Sequence, residues 1–154
     1  MLRLRFVWLG KTKSEPLRAL VADYQGRLER FVRCETIELK ESASRDARVV
    51  VAEEASRILG TLRAGETVVA LDVEGEQWSS PELAAELEKW ETGGVSQIAY
   101  VIGGHLGVSD EVKRRADVRW SLGRLTLTHE MARVIALEQI YRAYTIRRGL
   151  PYQK

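Results

Sequence analysis

The stretch SQIAYVIGGHLGVSD, residues 96–110, joins an apolar run to a glycine-rich turn and then to the beginning of a helix. Residues 96–102 are almost continuously apolar, which is typical of a strand buried on both faces of a sheet. Gly103 and Gly104 then permit backbone conformations and close approaches that a side chain would prevent. Ser109 is a preferred N-cap residue for the helix that follows. The stretch therefore predicts a strand, a tight turn and a helix in succession.

The same alternation of strand and helix runs along the whole chain. Residues 67–73 form a second continuous apolar run, and two such strands alternating with amphipathic helices are typical of a parallel sheet covered on both faces. We therefore predict an α/β fold with a mostly parallel sheet flanked by helices. The strands are expected over residues 2–9, 35–39, 67–73, 96–102 and 118–122. The helices are expected over residues 15–32, 46–62, 81–90 (capped by Ser80), 110–116 and 129–147.

Length and composition limit the class of protein. A chain of 154 residues without a Pro/Gly/Ser linker is expected to form a single domain over residues 1–154. The N-terminus alternates arginine with apolar residues, so we predict neither a secretion signal nor a membrane span, and expect a cytoplasmic protein. Cys34 is the only cysteine, which excludes an internal disulfide and a cysteine-based zinc site; with only two histidines, we predict no metal site.

Charge is distributed unevenly along the chain. Residues 1–34 carry eight Lys/Arg against three acids, and residues 113–154 carry ten against three, whereas residues 35–112 carry six against sixteen. If the two basic ends meet in the fold, they would form a positive surface suited to a phosphate backbone. A set of separate solvated helix faces is the alternative, and charge alone leaves both open.

Three turns follow predicted strands, at residues 71–75, 103–107 and 122–128. In parallel sheets, ligands bind at the carboxyl ends of strands, so these turns are candidates for one pocket. They carry neither a dinucleotide fingerprint nor a phosphate-binding Gly-Lys-Ser/Thr sequence, and Arg124 is their only basic residue. Apolar walls with backbone donors suit an adenine and a sulfonium better than a triphosphate. A purely structural role for the glycine turn stays open.

Several polar residues are candidates for chemistry. His129, at the beginning of the last helix, is either a general base or a capping residue. Arg142 lies among apolar residues and should have a partner or an RNA phosphate, because an unpaired buried guanidinium is costly. Tyr152 offers a ring for base stacking or for docking on its own subunit. Cys34 is interpreted as a structural thiol, and Glu54 as part of a solvated helix face.

Six short motifs stand in order along the chain and together resemble one family. They are Leu71-Asp72 with Gly75 and Trp78, Val101–Gly104 with Gly107, Ser121-Leu122 with Leu125-Thr126, Thr128–Arg133, Glu138–Ala143, and Pro151-Tyr152. This pattern resembles the RlmH family, the large-subunit ribosomal RNA pseudouridine N3-methyltransferases of the SPOUT superfamily. The resemblance extends from the N-terminal strand to the last residues.

The resemblance implies a SPOUT-type α/β knot, in which a C-terminal trefoil knot forms the S-adenosyl-L-methionine pocket. It also implies a homodimer in which RNA bound partly by one subunit approaches the cofactor of the other. The family's cofactor-binding residues correspond to Leu71, Gly103, Gly104, Gly123, Arg124, Leu125, Thr126, Leu127 and Thr128.

The implied reaction is methylation of N3 of a pseudouridine in helix 69 of 23S ribosomal RNA, on assembled ribosomes. His129, Arg142 and Tyr152 are the catalytic candidates, as base, electrostatic support or RNA-positioning groups. Two positions depart from the family pattern: many relatives have proline where this chain has Thr128, and histidine where it has Gln153. The alternatives are a SPOUT methyltransferase acting on another RNA, such as tRNA, or a non-catalytic ribosome-associated module that binds S-adenosyl-L-methionine.

Overall fold

A five-stranded sheet forms the centre of the molecule in a computed structural model that describes residues 2–152. Gln153 lies outside the described residues. The strands follow the order β2-β1-β4-β3-β5, and every pair of neighbours is parallel. Their bounds are β1 (Arg3–Leu9), β2 (Arg33–Leu39), β3 (Thr67–Gln77), β4 (Gln97–Ile102) and β5 (Val118–Ser121).

Helices cover both faces of this sheet. One hydrophobic cluster joins α1, α3 and α5 to one face, and a second joins α2 and α4 to the other. The predicted α/β fold with a parallel sheet flanked by helices is therefore confirmed, whereas the trefoil knot stays a prediction. The helices are α1 (Glu15–Leu28), α2 (Ala47–Thr61), α3 (Ser80–Thr92), α4 (Asp110–Arg115) and α5 (His129–Arg147).

The side-chain alternation of β1 explains how one strand serves both clusters. Leu4 and Phe6 belong to the cluster beneath α1 and α5, while Val7 and Leu9 belong to the cluster beneath α2. Burial of each such large apolar side chain contributes roughly 1.5–3 kcal/mol, so the central strands anchor both layers. Within residues 2–152, no helix is both long and apolar enough to cross a membrane.

Several helix boundaries differ from the prediction by one or more residues, and two of the differences have a clear structural cause. The first helix ends at Leu28 instead of Val32, because the N–H groups of Arg30 and Phe31 bond three residues back and tighten the chain into a turn before β2. The N-cap of α3 is Ser79, so the assignment of Ser80 was wrong. The Ser79 side chain accepts from the N–H of Glu82, whose carboxylate accepts from the N–H of Ser79, which completes a capping box.

The third strand continues beyond the predicted end at Val73 and reaches Gln77. Its pairing with β5 shifts register between Leu71 and Glu76, which is a bulge. Gly75 lies in this bulge, where an added Cβ would come within 2.5 Å of the carbonyl oxygen of Arg119. The predicted loop at residues 71–75 is thus a distorted part of the strand, and glycine is required there by backbone packing.

Candidate functional site

A cavity of about 300 Å³ opens at the carboxyl edge of the sheet. Because the strands are parallel, the chain leaves β4 and β5 at this same edge, and the bulged part of β3 lies beside them. The cavity is lined by residues 71–73, 102–104, 106–108, 122–123 and 125–127, together with Lys113, Trp120, His129 and Ala132. The three predicted turns therefore meet at one cavity, of a size typical for a small-molecule site.

Seven of the nine residues predicted to bind a cofactor line this cavity, and two do not. Arg124 is exposed outside the lining. Thr128 is the N-cap of α5, and its hydroxyl accepts a hydrogen bond from the N–H of Met131 over 3.2 Å. The seven lining residues are Leu71, Gly103, Gly104, Gly123, Leu125, Thr126 and Leu127.

The glycines after β4 are required mainly by the packing of the loop on itself. An added Cβ at Gly103 would lie 2.5 Å from the carbonyl carbon and oxygen of Gly107. Gly107 has a φ of +79° and donates its N–H to the carbonyl oxygen of Gly104 over 2.9 Å. The backbone of the turn therefore packs closely against itself and is closed by a hydrogen bond, and the turn forms one wall of the cavity.

Glu54 supports this turn from behind, although it was predicted to lie on a solvated face. Its side chain is buried because α2 packs against the sheet. One carboxylate oxygen accepts from the N–H of Ser42 over 3.0 Å. The other oxygen would lie 3.1 Å from a Cβ added at Gly104, so that glycine allows a close approach to Glu54 rather than to the cavity.

The rim of the cavity carries apolar side chains that are left exposed. Leu125 is 82% exposed, and Val73 and Leu106 are also exposed on the other two segments. Adjacent exposed apolar side chains around a concave site are typical of a surface that a ligand or a partner covers.

The main acidic group at the cavity is Asp72, which the sequence analysis did not select as a site residue. Its side chain is buried and accepts a hydrogen bond from the guanidinium of Arg119 over 3.2 Å. The ammonium of Lys113 lies 3.7 Å from the same carboxylate oxygen, and the N–H of Glu74 donates to the other. The position of Asp72 directly after Leu71 at the end of an apolar run was the available signal.

His129 lies at the cavity, at the first position of α5. Partial burial, and then the positive charge of Arg133 one turn later, hold the pKa of His129 below its usual value. The opposing effects of Glu130 and Glu41 are smaller. The imidazole is therefore neutral near pH 7, which is the form that accepts a proton.

Two residues that follow His129 fix the beginning of α5 against the N-terminal loop. Glu130 accepts hydrogen bonds from the N–H groups of Lys13 and Ser14. The bond from Ser14 is the largest cause of the lowered pKa of Glu130. Arg133 is fully buried and donates to the hydroxyl of Thr12 and to the carbonyl oxygen of Leu9. Sequence spacing did not reveal this role, because the partners lie more than 110 positions away.

Arg142 and Tyr152 lie far from this cavity within one chain. Arg142 donates two hydrogen bonds to Glu138, the shorter over 2.6 Å, and this partner raises the pKa of Arg142. The hydroxyl of Tyr152 also donates to Glu138, and its ring lies 4.9 Å from the Arg142 guanidinium carbon. Thirteen helical residues separate Arg142 from His129, about 20 Å along the axis. The expected partner for Arg142 is thus present, but the two candidate groups do not reach the cavity of their own subunit.

Cys34 and possible metal ligands add no chemistry to the cavity. The Cys34 thiol is half-buried, and burial raises its pKa to about 12, so it stays protonated and unreactive near neutral pH. Among residues 2–152, no group of three or more His, Cys, Asp or Glu side chains is arranged to hold a metal ion.

Comparison with known proteins gives matches over nearly the full chain. A family model described as "Predicted SPOUT methyltransferase" matches residues 2–153. Proteins named "Ribosomal RNA large subunit methyltransferase H" are 40% identical in Geobacter metallireducens, over 98% of each chain, and 41% identical in Streptococcus agalactiae, over 99% of this chain and all of the relative.

A solved structure is similar at the level of the fold. It is described as a probable methylase family protein from Haemophilus influenzae Rd KW20. The match has a TM-score of 0.55 and covers 98% of this chain and 70% of the other, at 12% identity.

Proposed function

The chain belongs to the SPOUT methyltransferase family, among relatives named ribosomal RNA large subunit methyltransferase H, and from this premise we propose that it methylates 23S ribosomal RNA. The proposed reaction transfers a methyl group from S-adenosyl-L-methionine to N3 of a pseudouridine in helix 69, on assembled ribosomes in the cytoplasm, by a homodimer. The observation that carries the proposal is the single cavity to which the three segments after parallel strands contribute.

The chemistry of the cavity supports this cofactor. Its apolar side chains suit a flat adenine, and its glycine segments expose backbone groups that can bind the polar parts of the ligand. Asp72 lines the cavity and is held by Arg119 and Lys113, and the lone pairs that remain on its carboxylate could accept from a hydroxyl or an ammonium group of the cofactor. We propose that Leu71, Gly103, Gly104 and residues 123–128 hold the cofactor, with Arg124 and Thr128 acting at the edge of the site.

The residues of the chain have two tasks in this reaction, which are to accept the proton of N3 and to hold the proton acceptor in position. When bound, S-adenosyl-L-methionine supplies the methyl group, whose bond to sulfur breaks as its bond to N3 forms, leaving a neutral thioether. His129 accepts the proton that N3 carries, because its imidazole is neutral near pH 7 and lies at the cavity. The links from Glu130 and Arg133 to the N-terminal loop fix the position of His129, which matters because alignment of the reacting atoms provides most of the acceleration.

The remaining catalytic candidates support a composite site in the proposed homodimer. Arg142 is about 20 Å from His129 along α5, so it cannot act at the cavity of its own chain. A two-fold arrangement brings equivalent segments of two subunits together in opposite directions. Arg142 and Tyr152 of one subunit would then position RNA at the cavity of the other.

The proposal is tested with S-adenosyl-L-methionine carrying a labelled methyl group. The protein is incubated with ribosomes, free 23S ribosomal RNA and tRNA from cells that lack the modification, and the labelled nucleoside is identified by mass spectrometry. We expect label on N3 of one pseudouridine in ribosomes. Label confined to tRNA would assign a different substrate, and cofactor binding without label on any RNA would identify a non-catalytic module.

A further inference from the structure

At the opposite edge of the sheet, five arginines gather where α1 and α5 end and where β1 and β2 begin. They are Arg3, Arg30, Arg33, Arg147 and Arg148, here called the basic edge. The two basic ends of the sequence therefore meet in the fold. Arg3 and Arg33 are direct neighbours in the pairing of β1 with β2, although adjacent like charges are destabilising.

Four of these arginines lack acidic partners. Within residues 2–152, Arg3, Arg30, Arg33 and Arg148 form no salt bridge, and all four side chains are exposed. Arg147 is the exception, because it donates to Glu91 over 2.7 Å. This edge therefore carries an excess of positive charge, with four arginines unpaired in the described part of the chain beside one arginine–glutamate pair.

A small cavity lies in the basic edge, and two of the residues that line it carry a buried polar atom without a partner in residues 2–152. Its volume is about 60 Å³, and Phe31, Glu91, Tyr144, Arg147 and Arg148 contribute to its walls. Among the described residues, the hydroxyl of Tyr144 and Nη1 of Arg147 are buried and have no hydrogen-bond partner. Leaving such groups unpaired costs about 1–3 kcal/mol each, which indicates a missing acceptor.

Aromatic rings hold the two guanidinium groups in place beside this cavity. Arg148 lies 5.6 Å from the ring of Phe31, and Arg147 lies 5.5 Å from the ring of Tyr144. The two rings stack on each other with centroids 5.7 Å apart. The donors are therefore preorganised. The cavity of about 60 Å³ is large enough for the two non-bridging oxygens of one phosphate group.

We infer that the basic edge binds the phosphate backbone of ribosomal RNA, with one phosphate seated against Tyr144, Arg147 and Arg148. Arg147 is about 27 Å along α5 from His129, so these phosphates lie away from the methylated nucleotide within one subunit. Such contacts add affinity and orientation without reading sequence. The inference rests on the proposed methylation of ribosomal RNA and names a second surface for the same substrate.

The test compares variants of the full-length protein in binding to ribosomes and to naked 23S ribosomal RNA over a range of salt concentrations. The variant Arg30→Gln/Arg33→Gln/Arg148→Gln should bind ribosomes and naked RNA about 10- to 100-fold more weakly near physiological salt. The negative slope of the logarithm of the binding constant against the logarithm of the salt concentration should decrease in magnitude by about 2. Binding of S-adenosyl-L-methionine, measured by calorimetry, should not change.

A matched control removes the same charge elsewhere. Arg45, Arg48 and Arg114 are also exposed and form no salt bridge among the described residues. Their triple change to Gln should alter RNA affinity by less than about threefold, because net charge alone acts weakly over distances beyond the screening length. Equal losses from the two triple variants would overturn the inference.

The small cavity is tested separately by Tyr144→Phe. This change removes a hydroxyl that has no partner in the described chain, so stability should be unchanged or higher while RNA affinity falls several-fold. Unchanged RNA affinity would mean that the cavity holds water only.

For the triple arginine variant, loss of ribosome binding with full binding to naked RNA would assign the basic edge to an acidic protein instead. Absence of methylation by the wild-type protein would refute the proposed function, and this assay is separate from the binding measurements that test the basic edge.

Discussion

Arg133 donates a hydrogen bond from Nη2 to the carbonyl oxygen of Leu9 over 2.6 Å, joining α5 to the end of β1 across 124 positions of sequence. The guanidinium is fully buried and lies 4.8 Å from the ring of Trp8. Within residues 2–152 this guanidinium forms no salt bridge with a carboxylate. Its buried positive charge is therefore stabilised by neutral hydrogen-bond acceptors and by an aromatic ring.

We expect Arg133→Met to lower the free energy of unfolding by about 1–3 kcal/mol, because Leu9 and Thr12 lose their donor inside the protein. The loss should remain below that for breaking a buried ion pair, since no opposite charge is left behind. Urea denaturation measures it, and the exposed Arg124→Met is the control. A more stable Arg133→Met protein would show that burial of the charge costs more than its bonds contribute.

Gly103→Ala should disrupt the wall of the cavity, since the added Cβ meets the backbone of Gly107 at 2.5 Å. We expect the affinity for S-adenosyl-L-methionine to fall about tenfold or more and the unfolding free energy to fall by about 1–3 kcal/mol. Gly104→Ala should have a smaller effect, because the atom in its way is the end of the Glu54 side chain. Titration calorimetry and thermal unfolding give the two values. Gly26→Ala, in α1 with open space around it, should be neutral or stabilising.

The proposed role of His129 predicts an acid limb in the rate of methylation. Its pKa lies below the ordinary value, so the neutral base persists at pH 7 and is lost only as the pH falls through that lowered pKa. Single-turnover rates from pH 5 to pH 8 should therefore decline on the acid side with an apparent pKa below about 6.5. His129→Gln should remove this limb and slow the reaction about 10²- to 10⁴-fold.

His105→Gln is the matched control, because this second histidine is exposed and does not line the cavity. It should retain the wild-type rate near pH 7 and keep the acid limb, with at most a small rise in its apparent pKa, because the charge of His105 is the smallest of the effects that lower the pKa of His129. An acid limb that persists in His129→Gln would assign the titrating group to the RNA or to another residue.

A composite site across the homodimer predicts complementation between impaired variants. His129→Gln and Arg142→Ala should each be strongly impaired alone, but a mixed dimer should contain one cavity with both native groups. Random exchange of subunits should then restore about a quarter of the wild-type sites. Methylation after mixing and reassembly measures it. Failure of rescue, in mixtures shown by mass spectrometry to contain heterodimers, would mean that both residues act within one chain.

The parts of the fold predicted from sequence were those with strong local patterns. The apolar runs at residues 67–73 and 96–102 identified the central strands, and Ser109 precedes its helix as the predicted cap residue. The box formed by Ser79 and Glu82 was also readable, but Ser80 and Pro81 beside it gave a competing signal. Local chemistry thus predicted the elements better than their ends.

Features that depend on contacts between distant segments were not predicted. At the bulge the backbone of Gly75 lies against Arg119 of the neighbouring strand, and Glu54 is buried because α2 packs against the sheet, where its carboxylate accepts from the N–H of Ser42. The three segments around the cavity were grouped correctly, since parallel strands end at one edge. The partners of Glu130 and Arg133, which fix the helix start at His129, could not be identified, because they come from the N-terminal loop and the end of β1.

The hydrogen bond between Glu130 and Ser14 joins the beginning of α5 to the loop before α1, two segments that are synthesised far apart in time. The buried residues Val21 and Leu28 of α1 pack in the same cluster as Leu137 and Ile140 of α5, which follows all five strands along the chain. During translation the apolar side of α1 therefore lacks this native cover until α5 has left the exit tunnel. The nascent chain is exposed to aggregation or chaperone binding in this interval.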